Sequence, residues 1–463
     1  MYQQIEVPQH VYCLGIGGIG VGALAEYLHH QGWQVSGSDT QPSAMTMRLQ
    51  DLGVSIFNEH QVDHLENVDK VVYSSAIPSN HPVLKMALQR KIPVMQRGKL
   101  LADILSSYYS IVVAGTHGKT TTVSLMAYLL KAQGLNLNHF IGGSLNDGSG
   151  PVALADSQYM LAEADESDGS FLFMKPKIAV VTNIDPDHLA TYQGDFSILK
   201  RSFLQFMSQV DENGLVVLCI DHPVVRELLP SIDRRVVTYG FSEDADFRAS
   251  HYSQQELNSC FRLKTPTQFH EIEFNLPGQH NVLNLLACTA VAEHMNVLDE
   301  KGLSLLKDFP GVGRRLQLHL SKKFDDGYVH VFEDYGHHPC ELEVTIKTLR
   351  QAWPDRRLVM IFQPHRYSRT HELFDEFVDV LGKVDLLLLM DVFSAGESTI
   401  SEATSEALAR GLCERSSLDP ILVCGGDSVQ SSLGAELKPG DIILFQGAGS
   451  IGRMAKDFSN YFS

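Results

Sequence analysis

The chain has 463 residues, 44% hydrophobic and 20% charged, with a formal net charge of −18. That length fits about three ordinary domains, and the balance excludes a disordered or fibrous chain. The acidic excess argues against nucleic acid or an anionic membrane as a general partner.

The stretch Met1–Glu6 has no basic region and no apolar core, so no secretory signal is expected. The apolar run Leu386 to Met390 is far too short to cross a bilayer. Seven scattered cysteines, none in a C-x-x-C pair, point to neither zinc nor a disulfide framework, and so to a reducing cytoplasmic setting.

His10 to Leu14 reads as a buried strand, and Gly15-Ile16-Gly17-Gly18-Ile19-Gly20 follows as G-x-G-x-x-G. Ala23, Leu24, Tyr27 and Leu28 then give a helical face. A second strand runs from Gln34 to Asp39, which puts an acid about 20 residues past the glycines, where a ribose- or base-binding acid belongs. A third strand, from Lys70, ends in Ser74-Ser75-Ala76. This is a Rossmann-like nucleotide fold, with Gly17, Gly18, Ile19, Gly20, Asp39, Ser74 and Ser75 as its site candidates. NAD is the usual ligand of the fingerprint and a UDP-sugar a rarer one. Arg97 could meet a phosphate or a sugar.

Ile111-Val112-Val113-Ala114 then feeds Gly115-Thr116-His117-Gly118-Lys119-Thr120-Thr121, and a helix is expected from Thr122 to Gln133. Strand, glycine loop and helix start form a phosphate cradle. Lys119 would reach the outer phosphates and the Thr120 hydroxyl a Mg²⁺ ion. The loop is shorter than the standard P-loop, with Val113 where that pattern has its first glycine. Glu163 and the acids through Asp168 end the next strand and suit a hard cation. Ile178 to Ile184 is another strand, leading to Asp185-Pro186-Asp187-His188, where His188 could ligate a second metal. Asn281 and Asn284 share a helix face and could read a purine edge, although Asn281 as a helix cap is equally good from spacing.

Gly311-Val312-Gly313-Arg314-Arg315 reads as a hinge with two cations. Strands follow that end in Glu333-Asp334-Tyr335-Gly336-His337-His338 and in Gln363-Pro364-His365-Arg366, with Arg369 close behind. Paired arginines at a strand end suit a carboxylate clamp. Alternation with helices gives a second doubly wound α/β domain.

In this order, Gly-Thr-His-Gly-Lys-Thr-Thr, Glu-Ala-Asp-Glu-Ser-Asp, Thr-Asn-Ile-x-x-Asp-His, Gly-x-His-Asn, Gly-Arg-Arg and Asp-Tyr-Gly-His-His-Pro resemble the Mur ligase family from Val11 to Gly452. Within it, Gly-Ile-Gly-Gly-Ile-Gly, Tyr192 to Phe196 and Phe-Gln-Pro-His-Arg-Tyr-Ser-Arg-Thr are similar to members that act on UDP-N-acetylmuramate and L-alanine. The resemblance implies an α/β chain of three domains: residues 1–106 Rossmann-like and UDP-binding, 107–310 P-loop ATPase-like, and 311–463 Rossmann-like and amino-acid-binding. It implies ATP with Mg²⁺, or Mn²⁺ in its place, and an acyl phosphate on the lactyl carboxylate that the alanine amine attacks.

The same resemblance assigns residues. Gly115, Thr116, His117, Gly118, Lys119, Thr120 and Thr121 would cradle the ATP phosphates. Thr120 and Glu163 would hold the first Mg²⁺ and His188 a second. Asn281 and Asn284 would meet adenine, Asp334 the ribose and Arg315 the γ-phosphate. Tyr335, His365, Arg366 and Arg369 would line the alanine site, with His337 and His338 near the reacting centre. Two departures stand out: Phe203 occupies the position of a carbamylated lysine found in several members, and Leu189-Ala190 replaces a common Met-Asp. A murein-peptide recycling ligase and an NAD-dependent oxidoreductase remain rival readings, the second resting on G-x-G-x-x-G alone.

Overall fold

The computed structural model describes residues 10–143, 145–146, 150–324, 327–416 and 418–462; the Met1–Glu6 stretch lies outside them. Two compact units divide the chain. The first comprises Met1–His251, Phe261–Glu273 and Asn281–Pro310, and the second Tyr252–Cys260, Phe274–His280 and Gly311–Ser463. Among the described residues no helix is long and apolar enough to cross a membrane.

The first unit opens with a five-stranded sheet, β1 His10–Leu14, β2 Gln34–Ser38, β3 Ser55–Phe57, β4 Lys70–Tyr73 and β5 Val94–Gln96, in the order β3-β2-β1-β4-β5. All of its pairings are parallel. Side chains alternate faces along a strand, so β1 sends Val11 and Cys13 into one buried cluster and Tyr12 and Leu14 into another. Burial on both faces is the reason its sequence reads as a continuous apolar run.

A ten-stranded sheet follows. Its members are β6 Tyr109–Ala114, β7 Asn138–Phe140, β8 Val152–Ala153, β9 Tyr159–Glu163, β10 Ile178–Val181, β11 Leu215–Cys219, β12 Val236–Gly240, β13 Phe247–Gln255, β14 Asn258–Lys264 and β15 Phe269–Phe274. Their order is β15-β14-β13-β12-β11-β10-β6-β9-β7-β8. β6 lies between β9 and β10, parallel to both. The register sets Val113 opposite Glu163 and Ala114 opposite Val181. Three carboxyl ends therefore open at one level, where α/β sheets hold ligands.

The second unit is built on β16 Gln317–Phe324, β17 Gly327–Asp334, β18 Leu358–Phe362, β19 Leu386–Met390, β20 Ile421–Val423 and β21 Ile442–Gln446, in the order β16-β17-β21-β18-β19-β20. Among the pairings of this six-stranded sheet between described residues, that of the edge strand β16 is antiparallel and the rest are parallel. Gln446 lies opposite both Asp334 and Phe362, so the polar segments after β17, β18 and β21 converge.

Two helix starts differ from the sequence reading. The helix expected from Thr122 begins at Lys119, because Gly118 takes the left-handed conformation (φ 82°) and releases the chain directly into the helix. The helix Gln279–His294 begins before Asn281, so Asn281 lies inside it and is buried rather than capping it.

Candidate active site

The loop after β6 is bracketed by two glycines with positive φ, Gly115 (135°) and Gly118 (82°). A Cβ on Gly115 would collide with Thr182 Oγ1, and one on Gly118 would stand 2.9 Å from Asn284 Oδ1. The end of β10 closes the loop. Asn183 Oδ1 accepts the His117 N–H at 2.7 Å, and the His117 carbonyl accepts from Thr182 Oγ1 at 2.7 Å and Asn183 Nδ2 at 3.0 Å. The Thr116 N–H donates to the Asn183 carbonyl at 3.2 Å. Thr116 and His117 thus hold the loop shut. The N–H groups of Lys119, Thr120 and Thr121 lie in the first helical turn, which carries the helix's partial positive charge.

Lys119 Nζ donates to the carbonyls of Gly115 at 2.5 Å and Thr116 at 3.2 Å, and to Glu166 Oε2 at 2.6 Å. Burial alone would lower its pKa, but Glu166, Asp165 and Glu163 together raise it. The buried Glu166 carboxyl is pushed up to about 7 by burial, with Asp165 adding to the effect of burial and Lys119 opposing it. Thr120 Oγ1 donates to Glu163 Oε2 at 3.1 Å, and the Gly142 N–H donates to Glu163 Oε1 at 2.6 Å. A hydroxyl beside a carboxylate at a phosphate cradle is an oxygen donor set that fits Mg²⁺. No group of three His, Cys, Asp or Glu side chains is gathered as a metal cage among the described residues, and Mg²⁺ needs none, since it keeps several waters.

His188 has a left-handed backbone (φ 54°), and its ring Nε2 stands 3.5 Å from Asp187 Oδ2. Asp185 lies between two imidazoles, 3.1 Å from His222 Nε2 and 3.7 Å from His117 Nε2. Phe203 is buried in the core and packs its ring on Phe171, Lys200 pairs with Glu227, and Ala190 is exposed. Asn284 links to the loop helix through Thr122 Oγ1 at 3.2 Å and to Asn281 at 3.3 Å.

At the first glycine loop, Asp39 Oδ2 accepts the Gly17 N–H at 2.9 Å, and Ser43 Oγ donates to the Gly17 carbonyl at 2.9 Å. Gly18 precedes the helix Ile19–His30, which has no acid in its first turn and no side-chain cap. The Ser74 N–H continues the pairing of β4 with β1 by donating to the Leu14 carbonyl at 3.2 Å, and Ser75 is exposed. Arg97 stands over Gly20 and pairs with Asp165.

In the second unit, Arg314 and Arg315 lie 4.8 and 5.1 Å from the Tyr335 ring centre. Arg314 Nε bonds Glu333 Oε1 at 2.5 Å, and Arg315 Nη1 is 3.7 Å from Glu341 Oε1. Both Asp334 oxygens are engaged: Oδ2 by the Leu316 N–H at 2.8 Å, and Oδ1 by the Gly336 N–H at 2.8 Å and Gln446 Nε2 at 3.1 Å. Burial raises the Asp334 pKa, against Arg315. His338 caps the helix Pro339–Ala352, accepting the Cys340 N–H at 3.3 Å, and Glu341 answers on the His337 and His338 N–H groups. His337 and His365 have ring centres 5.8 Å apart. Each is pushed down to about 4, His337 by burial with Arg369 adding and Glu341 opposing, and His365 by burial with Arg369 and Arg366. Both are neutral at pH 7. Arg369 Nη1 donates to the His365 carbonyl at 3.2 Å, and Arg366 Nε stands 3.3 Å from Glu397.

The sequence reading left Glu166, His222, Glu341, Glu397 and Gln446 without individual roles. Glu341, three residues after His338, carried a capping-box signal. The others reach the site through long-range contacts that leave no local pattern.

Family models match nearly the whole chain: Mur ligase family, catalytic domain, over residues 10–109; Mur ligase middle domain over 113–292; and Mur ligase, glutamate ligase domain, over 314–449. The UDP-N-acetylmuramate–L-alanine ligase of Coxiella burnetii is 46% identical over 453 residues, 96% of this chain and 97% of the relative. The solved UDP-N-acetylmuramate–alanine ligase of Thermotoga maritima superposes with a TM-score of 0.83 at 25% identity, covering 98% of this chain and 99% of that one. A murein peptide ligase from Psychrobacter arcticus shares the fold at a TM-score of 0.72 and 22% identity, covering 98% of each chain.

Proposed function

The chain belongs to the Mur ligase family, and on that premise we propose that it joins the amine of L-alanine to the lactyl carboxylate of UDP-N-acetylmuramate, with ATP as phosphoryl donor. The product is a peptidoglycan precursor, and the nucleotide substrates make the cytoplasm its site of action. The observation that carries this reading is the 46% identity, across 96% of the chain, to a ligase of that name. The division of labour proposed is UDP-sugar at 1–106, ATP at 107–310 and alanine at 311–463.

A carboxylate is a poor electrophile, so the γ-phosphoryl group is first transferred to it, and the alanine amine then displaces phosphate. Two anions must meet. Lys119 and Arg315 offset their repulsion and the charge of the transferring group. Gly115 to Thr121 cradle the phosphates, with Asn281 and Asn284 toward adenine and Asp334 toward the ribose. Thr120 and Glu163 would hold Mg²⁺ or Mn²⁺, with His188 for a second ion; bound there, the metal would supply positive charge that offsets the negative charge of phosphates and carboxylate. Tyr335, Arg366 and Arg369 orient the alanine carboxylate. His365 completes the alanine site, and His337, neutral at pH 7, and His338, next to it in sequence, lie near the reacting centre. Gly17, Gly18, Ile19 and Gly20, with Asp39, Ser74, Ser75 and Arg97, receive the UDP-sugar.

The test is phosphate release from ATP across amino acids. Release that requires both UDP-N-acetylmuramate and L-alanine supports the reading. Release with a preformed tripeptide in place of alanine would move the chain to the recycling ligases. An absorbance change with NADH and no phosphate release would overturn it.

A further inference from the structure

Arg97 begins the helix Arg97–Leu105. Its guanidinium reaches the first glycine loop, where a Cβ on Gly20 would stand 2.9 Å from Nη1. A cation at a helix start opposes the macrodipole, and the helix Ile19–His30 offers it no acid in its first turn. The opposing charge comes from the loop after β9. Asp165 pairs with Arg97 Nη2, and Asp168 Oδ2 stands 3.6 Å from the same nitrogen.

Both acids are held in place. Asp165 Oδ1 accepts from the Ser167 N–H at 3.0 Å and from Ser167 Oγ at 2.6 Å, and Asp168 Oδ1 accepts the Ser170 N–H at 3.0 Å. Gly98, next to Arg97, lies so close to Ser170 that a Cβ would collide with it. Burial works against the Asp165 charge, but Arg97 and Lys119 overcome it and hold the carboxyl below its usual range. Side-chain exposure is 19% for Arg97 and 17% for Asp168, so solvent screens the cluster incompletely.

An acid-free helix start and a guanidinium, facing two carboxylates, form an anion site whose counter-charge is supplied by the protein itself. We propose that Asp165 and Asp168 stand in for the diphosphate of the UDP-sugar: they hold Arg97 over the glycine loop, and an organic diphosphate displaces them from it. This rests on the UDP-sugar reading given above. Arg97 is then the phosphate-binding group, and the two acids are its internal competitors. The consequence has a definite sign, since removing a competitor tightens the ligand.

The experiment is direct titration of UDP-N-acetylmuramate and of UDP, without ATP, on the full chain and on Asp165→Asn, Asp168→Asn, Arg97→Ala and each acid variant combined with Arg97→Ala. Asp165→Asn should bind both ligands about fivefold tighter, the worth of a partly exposed ion pair. Asp168→Asn should bind about twofold tighter, and serves if the first variant does not fold. Arg97→Ala should weaken binding about tenfold, and on that background neither acid substitution should change it. Weaker binding in the acid variants, or equal tightening without Arg97, overturns the proposal alone. Failure of the unaltered chain to bind UDP-N-acetylmuramate overturns the UDP-sugar reading and the proposal with it.

Discussion

Loop 15–20 and loop 115–118 each carry the chain from a buried parallel strand into a helix, and both use glycine with positive φ at the turn. The first is held by a carboxylate, with Asp39 on the Gly17 N–H, and its nearby cation comes from Arg97, far along the chain. The second is held by neutral groups, Thr182 and Asn183, and carries its own cation at the next position. Lys119 is fixed by two loop carbonyls and Glu166, so its charge is in place before a nucleotide arrives. Preorganised charge of this kind is what a transferring phosphoryl group needs. A diphosphate that is only gripped has no such requirement, and there the cation comes from outside the loop.

The largest break in this comparison is Lys119→Ala. It should lower amide formation about 10³-fold while UDP-N-acetylmuramate binding stays within about twofold, read by turnover and by titration. Loss of both in a folded protein would show that the loops are not independent. Next is Gly115→Ala, where positive φ and the collision with Thr182 should cost about 3 kcal/mol and several degrees of thermal midpoint. Gly17→Ala should cost about 1 kcal/mol, because a Cβ there meets the movable Asp39 carboxylate at 2.8 Å. Equal losses would erase the distinction between the loops. Asp39→Ala should raise KM for the UDP-sugar about tenfold and leave KM for ATP unchanged.

The smallest effect concerns pH. Burial pushes the Glu166 carboxyl up to about 7 in the folded chain, from an ordinary value near 4.5. Between those values the folded state binds more protons than the unfolded one, so this group's contribution to stability falls as pH rises from 4.5 to 7. Glu166→Gln should remove that part of the slope. Thermal midpoints of the two proteins that run parallel across the window would show that Glu166 does not titrate there.

Strands were legible in the sequence where both faces are buried, as at Ile111 to Ala114, because no polar alternation interrupts the β-branched run. Loop chemistry was legible where glycine and lysine are adjacent. Helix starts were less so. Gly118 moved one by three residues through a backbone conformation that sequence spacing does not report, and Asn281 reads equally well as cap or interior until tertiary contacts bury it. The wiring was not legible at all. Glu166 on Lys119, Arg97 on Asp165 and Gln446 on Asp334 each join residues more than 40 positions apart, and such pairings follow from sheet order, which local patterns do not encode.

The second unit is not contiguous in the chain, since it takes in Tyr252–Cys260 and Phe274–His280 before its main body from Gly311. Leu257 packs against the cluster around Phe332 and Leu349, and Gln254 Nε2 donates to the Thr348 carbonyl at 3.1 Å. A fragment begun at Gly311 would lack both, leaving an apolar gap where Leu257 packs. The chain passes between the units five times, at 251/252, 260/261, 273/274, 280/281 and 310/311. A protease cutting once near 310 would therefore nick the molecule without dividing it into two self-sufficient halves.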